Sequence, residues 1–134
     1  MEIAGLGTDL VDIDRFRSVL TRTPTIVGRL FTDAERGYCE GFKDPAPRFA
    51  VRFAAKEAVL KSLGLGLFEL PIRQIEVVTL PSGEPQVRVH ERAAQATADK
   101  GVSGFKVSLT HTDHAAHAMV LAIGATGATD STEP

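Results

Sequence analysis

Cysteine, tryptophan and long apolar runs are what this 134-residue chain has least of. Its single cysteine, Cys39, excludes an internal disulfide and fits a reducing compartment. With no tryptophan and one tyrosine, the aromatic platforms on which single-stranded nucleic acid stacks are scarce. A formal charge of -2 provides no overall positive field for nucleic acid or a membrane surface, so any anion site must be local. No apolar run approaches the roughly 20 residues of a membrane span. The first residues also lack the basic-then-apolar pattern of a secretion signal. A cytoplasmic protein, with neither nucleic acid nor membrane as partner, is the expectation.

What is present suits one domain: 43% of residues are hydrophobic, enough for a core, and 24% are charged. No internal repeat is visible. Residues 3–11 read as a strand broken by glycines, followed by a short helix over 15–22 capped by Asp14. Thr32-x-x-Glu35 is a capping box opening a helical segment to about Glu40. Residues 43–47 form a loop, and 48–63 give the clearest helix, stopped by Gly64. Residues 74–80 and 86–90 read as a hairpin across Ser82-Gly83. An Ala-rich helix over 91–100 closes at Gly101, and strands at 105–110 and 115–123 flank a His-rich turn. The tail 124–134 is small and polar, and is expected to be disordered. Helices and strands mix without βαβ alternation, so the fold class is α+β, a mixed antiparallel sheet packed with helices.

On a wheel of the 48–63 helix, Arg48, Arg52 and Lys56 form a basic stripe at spacing four. Glu57 and Lys61 form a second such pair elsewhere, with Ala50, Phe53 and Ala54 as angular neighbours. A surface Glu–Lys pair in this order is common and worth about 0.2–0.5 kcal/mol. The alternative is a site, in which the carboxylate binds a hard cation and the ammonium neutralises a phosphate oxygen. Asp9, at the end of the Gly-rich strand, is either a turn aspartate or half of a metal site that needs a second carboxylate. Gly5 and Gly7 are read as letting the backbone bend and a diphosphate approach. The spacing of His111, His114 and His117 raises zinc, but strand residues three apart face opposite ways and no cysteine lies near.

The segment Phe53-Ala54-Ala55-Lys56-Glu57-Ala58-Val59-Leu60-Lys61-Ser62-Leu63-Gly64 resembles the signature of holo-acyl-carrier-protein synthases, 4′-phosphopantetheinyl transferases. So do Gly5-Leu6-Gly7-Thr8-Asp9, with Arg15-Phe16 beyond it, and Val107-Ser108-Leu109-Thr110-His111-Thr112. The three stand in the family's order and separations, across residues 1–123. Asp44–Pro47 and Glu84 depart from the family pattern. The resemblance implies transfer of the 4′-phosphopantetheine arm of coenzyme A to a serine of an apo acyl carrier protein. It makes Asp9 and Glu57 ligands of Mg²⁺, with Mn²⁺ an alternative, and gives Lys61 the phosphate charge. Glu57, or a water on the metal beside it, takes the serine proton. Coenzyme contacts fall to Lys43, Arg52, Lys61, Gly64, Gly83, Pro85, Ser108 and His111, the last at the 3′-phosphate. Arg15 and Arg22 face the acidic carrier, and a homotrimer shares its sites between subunits. The competing readings are a non-catalytic module for acidic helical proteins and another Mg²⁺-dependent nucleotide enzyme. The latter class needs more converging carboxylates than two.

Overall fold

The computed structural model describes residues 2–124. Along the chain run β1 (Glu2–Asp12), α1 (Ile13–Arg22), α2 (Ile26–Leu30), α3 (Asp33–Glu40) and α4 (Ala46–Ser62). After a single 3₁₀ turn at Ile72–Gln74 come β2 (Ile75–Thr79), β3 (Pro85–Val89), α5 (Glu91–Asp99), β4 (Val102–His111) and β5 (Ala115–Gly124). The strands form two antiparallel sheets, one in the order β1-β5-β4 and one the β2-β3 hairpin. The class is α+β, as expected. Gly124 still pairs with Glu2 and Val102, so the strand runs one residue into the stretch expected to be tail. Residues 125–134 lie outside the described residues.

α4 crosses one face of the larger sheet at unusually short range, and composition explains why. Its inner residues Ala54, Ala55 and Ala58 are fully buried, as are Ala116, Ala118, Val120 and Ala122 of β5. A Cβ on Gly7 would lie 1.9 Å from Ala58 O, and one on Gly5 1.8 Å from Ser62 O. The two glycines therefore make room for the helix backbone, correcting the expectation that they admit a diphosphate. α4 ends in a Schellman motif, with Leu65 N donating to Leu60 O at 2.9 Å and Gly64 N to Lys61 O at 3.0 Å. Gly64 adopts the left-handed φ of 73° that this cap requires.

Several local expectations shift. Asp12, not Asp14, caps α1, its Oδ1 accepting from Arg15 N at 2.9 Å. α4 begins at Ala46 because Pro47 is tolerated in a first turn, where its missing N–H has no helical partner. α2 has no counterpart in the sequence reading. β3 starts one residue earlier than expected, leaving His90 as the N-cap of α5. β4 extends back to Val102. The capping box at Thr32 and Glu35 forms with both of its hydrogen bonds.

The other face of the larger sheet is open. Ile3, Leu6, Leu10 and Met119 are 65%, 58%, 69% and 44% exposed. A register shift between Ile3 and Gly5 brings Ile3, opposite Ile123, onto the same face as Leu6, opposite Leu121. Cys39 is fully buried in a core shared with Phe31 and Phe49, and burial pushes its thiol up to about 11. At pH 8 the native chain is expected to react with iodoacetamide roughly 10²-fold more slowly than the unfolded chain. Intact mass against time, with and without guanidinium, checks this; equal rates would contradict it.

Candidate active site

β1 and α4 together build a charged cluster. β1 presents Asp9 opposite Ala118, on the face that α4 covers. Glu57 and Lys61, one turn apart on α4, lie on the flank of the helix beside Asp9. Lys61 Nζ donates to Asp9 Oδ1 and to Thr8 O, both at 3.0 Å. The Lys61 side chain is half-exposed, whereas that of Asp9 is 14% exposed, so the ammonium covers a largely buried carboxylate. Glu57 is half-buried. Burial, and then the negative charge of Asp9, raise its carboxyl above the ordinary range, and Lys61 opposes the shift. Two carboxylates thus share one ammonium, an excess negative charge that a divalent cation would relieve. Among the described residues, no group of three or more His, Cys, Asp and Glu stands together as metal ligands. The Asp9–Glu57 pair suits a hard ion that completes its shell with substrate phosphate and water. His111 is opposite Ala116 on the α4 face, His117 lies on the open face, and His114 pairs with Asp14 at 2.8 Å.

A second cluster lies across the helix. Arg52 follows Glu57 backwards by five residues, about 140° around the α4 axis at 100° per residue. A groove of about 330 Å³ is lined there by Tyr38, Arg48, Arg52, Gly83, Pro85, Ser108 and His111 among others. Arg52 is buried, donating to Thr79 Oγ1 at 2.7 Å and Arg48 O at 3.4 Å, with its guanidinium 4.5 Å from the Tyr38 ring centre. Its Nε is buried without a hydrogen-bond partner. An orphan donor of this kind costs free energy unless a ligand satisfies it. A neighbouring depression shares Arg48 and His111 and adds Lys43, Phe42 and Asp44. Gly64 is not part of this groove; it lies with Lys61 and Gly5 at the α4 C-terminus.

The basic stripe of α4 is therefore not one surface. Arg48 and Arg52 border the groove, but Lys56 is wholly buried, which the wheel did not anticipate because every α4 direction looked apolar. Sequence reasoning also passed over Tyr38 as a groove residue, although Arg at 48 and 52 with an aromatic nearby is a signal for cation–π contact. On α1, Arg15 and Arg22 are exposed and fall about 20° apart around the axis. Arg17 is engaged instead, bridging Asp14 at 2.9 Å and Asp44 at 2.6 Å. Beside α1 an apolar groove of about 600 Å³ runs between Phe16, Ile26, Phe53 and Phe68, with Arg29 and Arg92 on its border.

An antiparallel α+β domain with an acidic pair beside a lysine, and a basic groove across one helix, has the parts of a phosphate-group transferase. The model of the 4′-phosphopantetheinyl transferase superfamily matches residues 5–119. The chain is 45% identical over 124 residues to a holo-[acyl-carrier-protein] synthase of Syntrophotalea carbinolica, covering 91% of this chain and 97% of that protein. An acyl carrier protein synthase of Plasmodium yoelii with ADP bound superposes with a TM-score of 0.86 at 27% identity, over 92% of this chain and 97% of that one. A Bacillus anthracis holo-(acyl-carrier-protein) synthase in complex with coenzyme A (3′,5′-ADP) gives 0.77, also at 27% identity, over 92% and 98%. The chain belongs to the 4′-phosphopantetheinyl transferase superfamily.

Proposed function

We propose that this enzyme is a holo-[acyl-carrier-protein] synthase. It transfers the 4′-phosphopantetheine group of coenzyme A to a serine of an apo acyl carrier protein, releasing adenosine 3′,5′-bisphosphate. The observation that carries its site assignment is Lys61 Nζ on Asp9 Oδ1, beside a Glu57 whose carboxyl is raised by burial and by Asp9.

Asp9 and Glu57 hold Mg²⁺, or Mn²⁺ in its place. When bound, the ion neutralises charge on the coenzyme diphosphate and orients it. Lys61 turns from Asp9 to the β-phosphate oxygens and steadies the charge that passes to the leaving bisphosphate. The serine oxygen forms its bond to the β-phosphorus as the bridging P–O bond to the nucleotide breaks. Glu57, or a water beside it, accepts the serine proton. The basic groove takes the nucleotide end: His111 contacts the 3′-phosphate, Arg52, Lys43 and Arg48 add positive charge, and the Gly83–Pro85 turn and Ser108 border the adenosine. Gly64 shapes the backbone beside Lys61. The acidic carrier docks on Arg15 and Arg22 and sets apolar side chains into the groove beside α1, whose Phe53 lies one turn before Glu57. Among the described residues no helix is long and apolar enough to cross a membrane. We place the enzyme in the cytoplasm, where coenzyme A and apo carrier meet.

Within one chain α4 stands between the acidic pair and the basic groove. A homotrimer resolves this, with the coenzyme bound between Asp9 and Glu57 of one subunit and His111 and Arg52 of the next. The open face bearing Ile3, Leu6, Leu10 and Met119 is the apolar surface such an assembly buries. Mixing Asp9→Ala with His111→Ala chains tests the whole reading, with intact mass of apo carrier protein as readout. Neither variant alone transfers well. After subunit exchange about a quarter of the sites in randomly mixed trimers combine two intact halves, and transfer returns. No recovery despite verified exchange counts against shared sites.

A further inference from the structure

The mechanism uses Glu57 and leaves the residue before it unexplained. Lys56 is fully buried, as is the side chain of its partner Glu35, whose Oε1 accepts from Lys56 Nζ at 2.8 Å. Lys56 also donates to Ile75 O at 2.6 Å and to Ile72 O at 3.4 Å, so all three ammonium protons have acceptors. Glu35 accepts in turn from Thr32 N at 2.8 Å and from Val77 N at 2.7 Å. One polar point thereby ties α4 to α3, to the 3₁₀ turn and to β2.

Stability is a poor reason for such a pair. Two charges in a dry core lose hydration that their attraction scarcely restores, and an apolar pair of the same volume is often as stable. Orientation is a better reason. α4 meets β5 through Ala54, Ala55, Ala58 and Val59, small residues on small residues. A contact so smooth sets the height of the helix above the sheet and resists rotation about its axis only weakly. Directional hydrogen bonds from Lys56 to three separate elements resist it strongly. Side-chain ends lie about 6 Å from a helix axis, so a rotation of about 10° displaces the Glu57 carboxylate by about 1 Å. A misplacement of about 1 Å at reacting groups costs on the order of 10²-fold in rate. Adjacent helical residues point about 100° apart, so anchoring Lys56 inward aims Glu57 at the flank that holds Asp9.

We infer that the buried Lys56–Glu35 pair is a positioning device for the transfer site, fixing the rotation of α4 so that Glu57 and Lys61 meet Asp9. The inference rests on the transferase reading above. Its test is the charge-free double variant Glu35→Gln/Lys56→Met, followed by thermal melting and by kcat and KM for coenzyme A from intact mass. The expected result is a folded protein whose kcat falls roughly 10- to 100-fold while KM changes less than about three-fold, because long groove side chains tolerate small shifts and bond formation does not. A folded double variant with kcat within about two-fold of the parent overturns the inference, as does a loss that merely tracks the unfolded fraction. If the double variant is unfolded at the assay temperature, Glu35→Asp carries the test. It keeps both charges and the Glu35 N to Thr32 Oγ1 half of the capping box but draws the carboxylate back by one methylene. A lower kcat with an unchanged melt supports the inference, and an unchanged kcat overturns it. Asp9→Ala is assayed alongside. Transfer persisting in that variant sinks the site reading itself, whereas its loss beside a fully active Lys56 variant sinks the positioning role alone.

Discussion

Asp9→Ala is expected to fold, to melt no lower than the parent within a few degrees, and to transfer phosphopantetheine at least about 10²-fold more slowly. Glu57→Ala should behave likewise in transfer. The argument is electrostatic. In the folded chain Asp9 raises the Glu57 carboxyl, after burial has already done so, and Lys61 offsets part of the effect. A carboxyl whose folded pKa is raised contributes its stability in full below its unfolded pKa, and that contribution is lost as pH rises through the folded value. At neutral pH the Glu57 carboxylate therefore opposes folding while serving the site, and removing Asp9 relieves it. Lys61, half-exposed, is left in water at little cost. An inactive variant as stable as the parent is the signature of a group kept for function. The same shift sets a pH dependence. Protonation of Glu57 competes with the divalent ion, and it begins above the ordinary glutamate range. The half-saturating Mg²⁺ concentration of the parent should rise on mild acidification, before an unperturbed carboxylate would respond. Titrating Mg²⁺ at several pH values measures this. A flat dependence across the mildly acidic range, or an Asp9→Ala protein that keeps more than about a tenth of the parental rate, removes this site from the mechanism.

Much of this could be read from the chain before its fold was known, because the informative features are local. The capping box at Thr32 and the glycine stop at Gly64 each act within a few residues. The pair Glu57 and Lys61 announces itself by spacing, and the resemblance of three motifs supplied Asp9 as a companion. What stayed hidden depends on long-range packing. Lys56 and Glu35 are 21 residues apart and were assigned to unrelated features, a basic stripe and a helix cap. Only the burial of α4 on three elements shows that they are one pair. The separation of Arg52 from Glu57 by the body of α4 is implicit in the helical wheel, but its consequence needs the sheet beneath the helix. α2 was missed because five residues containing Gly28 carry no clear amphipathic period. The glycines of β1 were misread for a related reason: their role is to admit another backbone, and a sequence does not say which one.

Those glycines carry the largest expected effect on the fold. Gly7→Ala places a Cβ 1.9 Å from Ala58 O and 2.8 Å from Ser62 N, all backbone on the helix side. No rotamer change removes a clash between two main chains. Ordinary contact requires the strand and the helix to part by more than an ångström, and both are constrained. β1 is paired along its length with β5, and α4 is held from its far side by Lys56. Overpacking a core costs about 1–3 kcal/mol when side chains can adjust. Here they cannot, so a loss of about 3 kcal/mol or more is expected, a melting temperature lower by roughly 10 °C. Gly5→Ala, 1.8 Å from Ser62 O, should behave similarly. Gly37→Ala is the internal contrast. It lies inside α3 with no heavy atom within 4 Å of the new Cβ, and it should gain about 0.5–1 kcal/mol from helix propensity alone. In whatever fraction of Gly7→Ala remains folded, the lifted helix carries Glu57 and Lys61 away from Asp9, so kcat per folded molecule should fall as well. Thermal melts of the three variants, with transfer rates normalised to folded protein, decide the matter. A Gly7→Ala chain that melts with the parent and transfers at its rate would show that the close approach of α4 to β1 is dispensable.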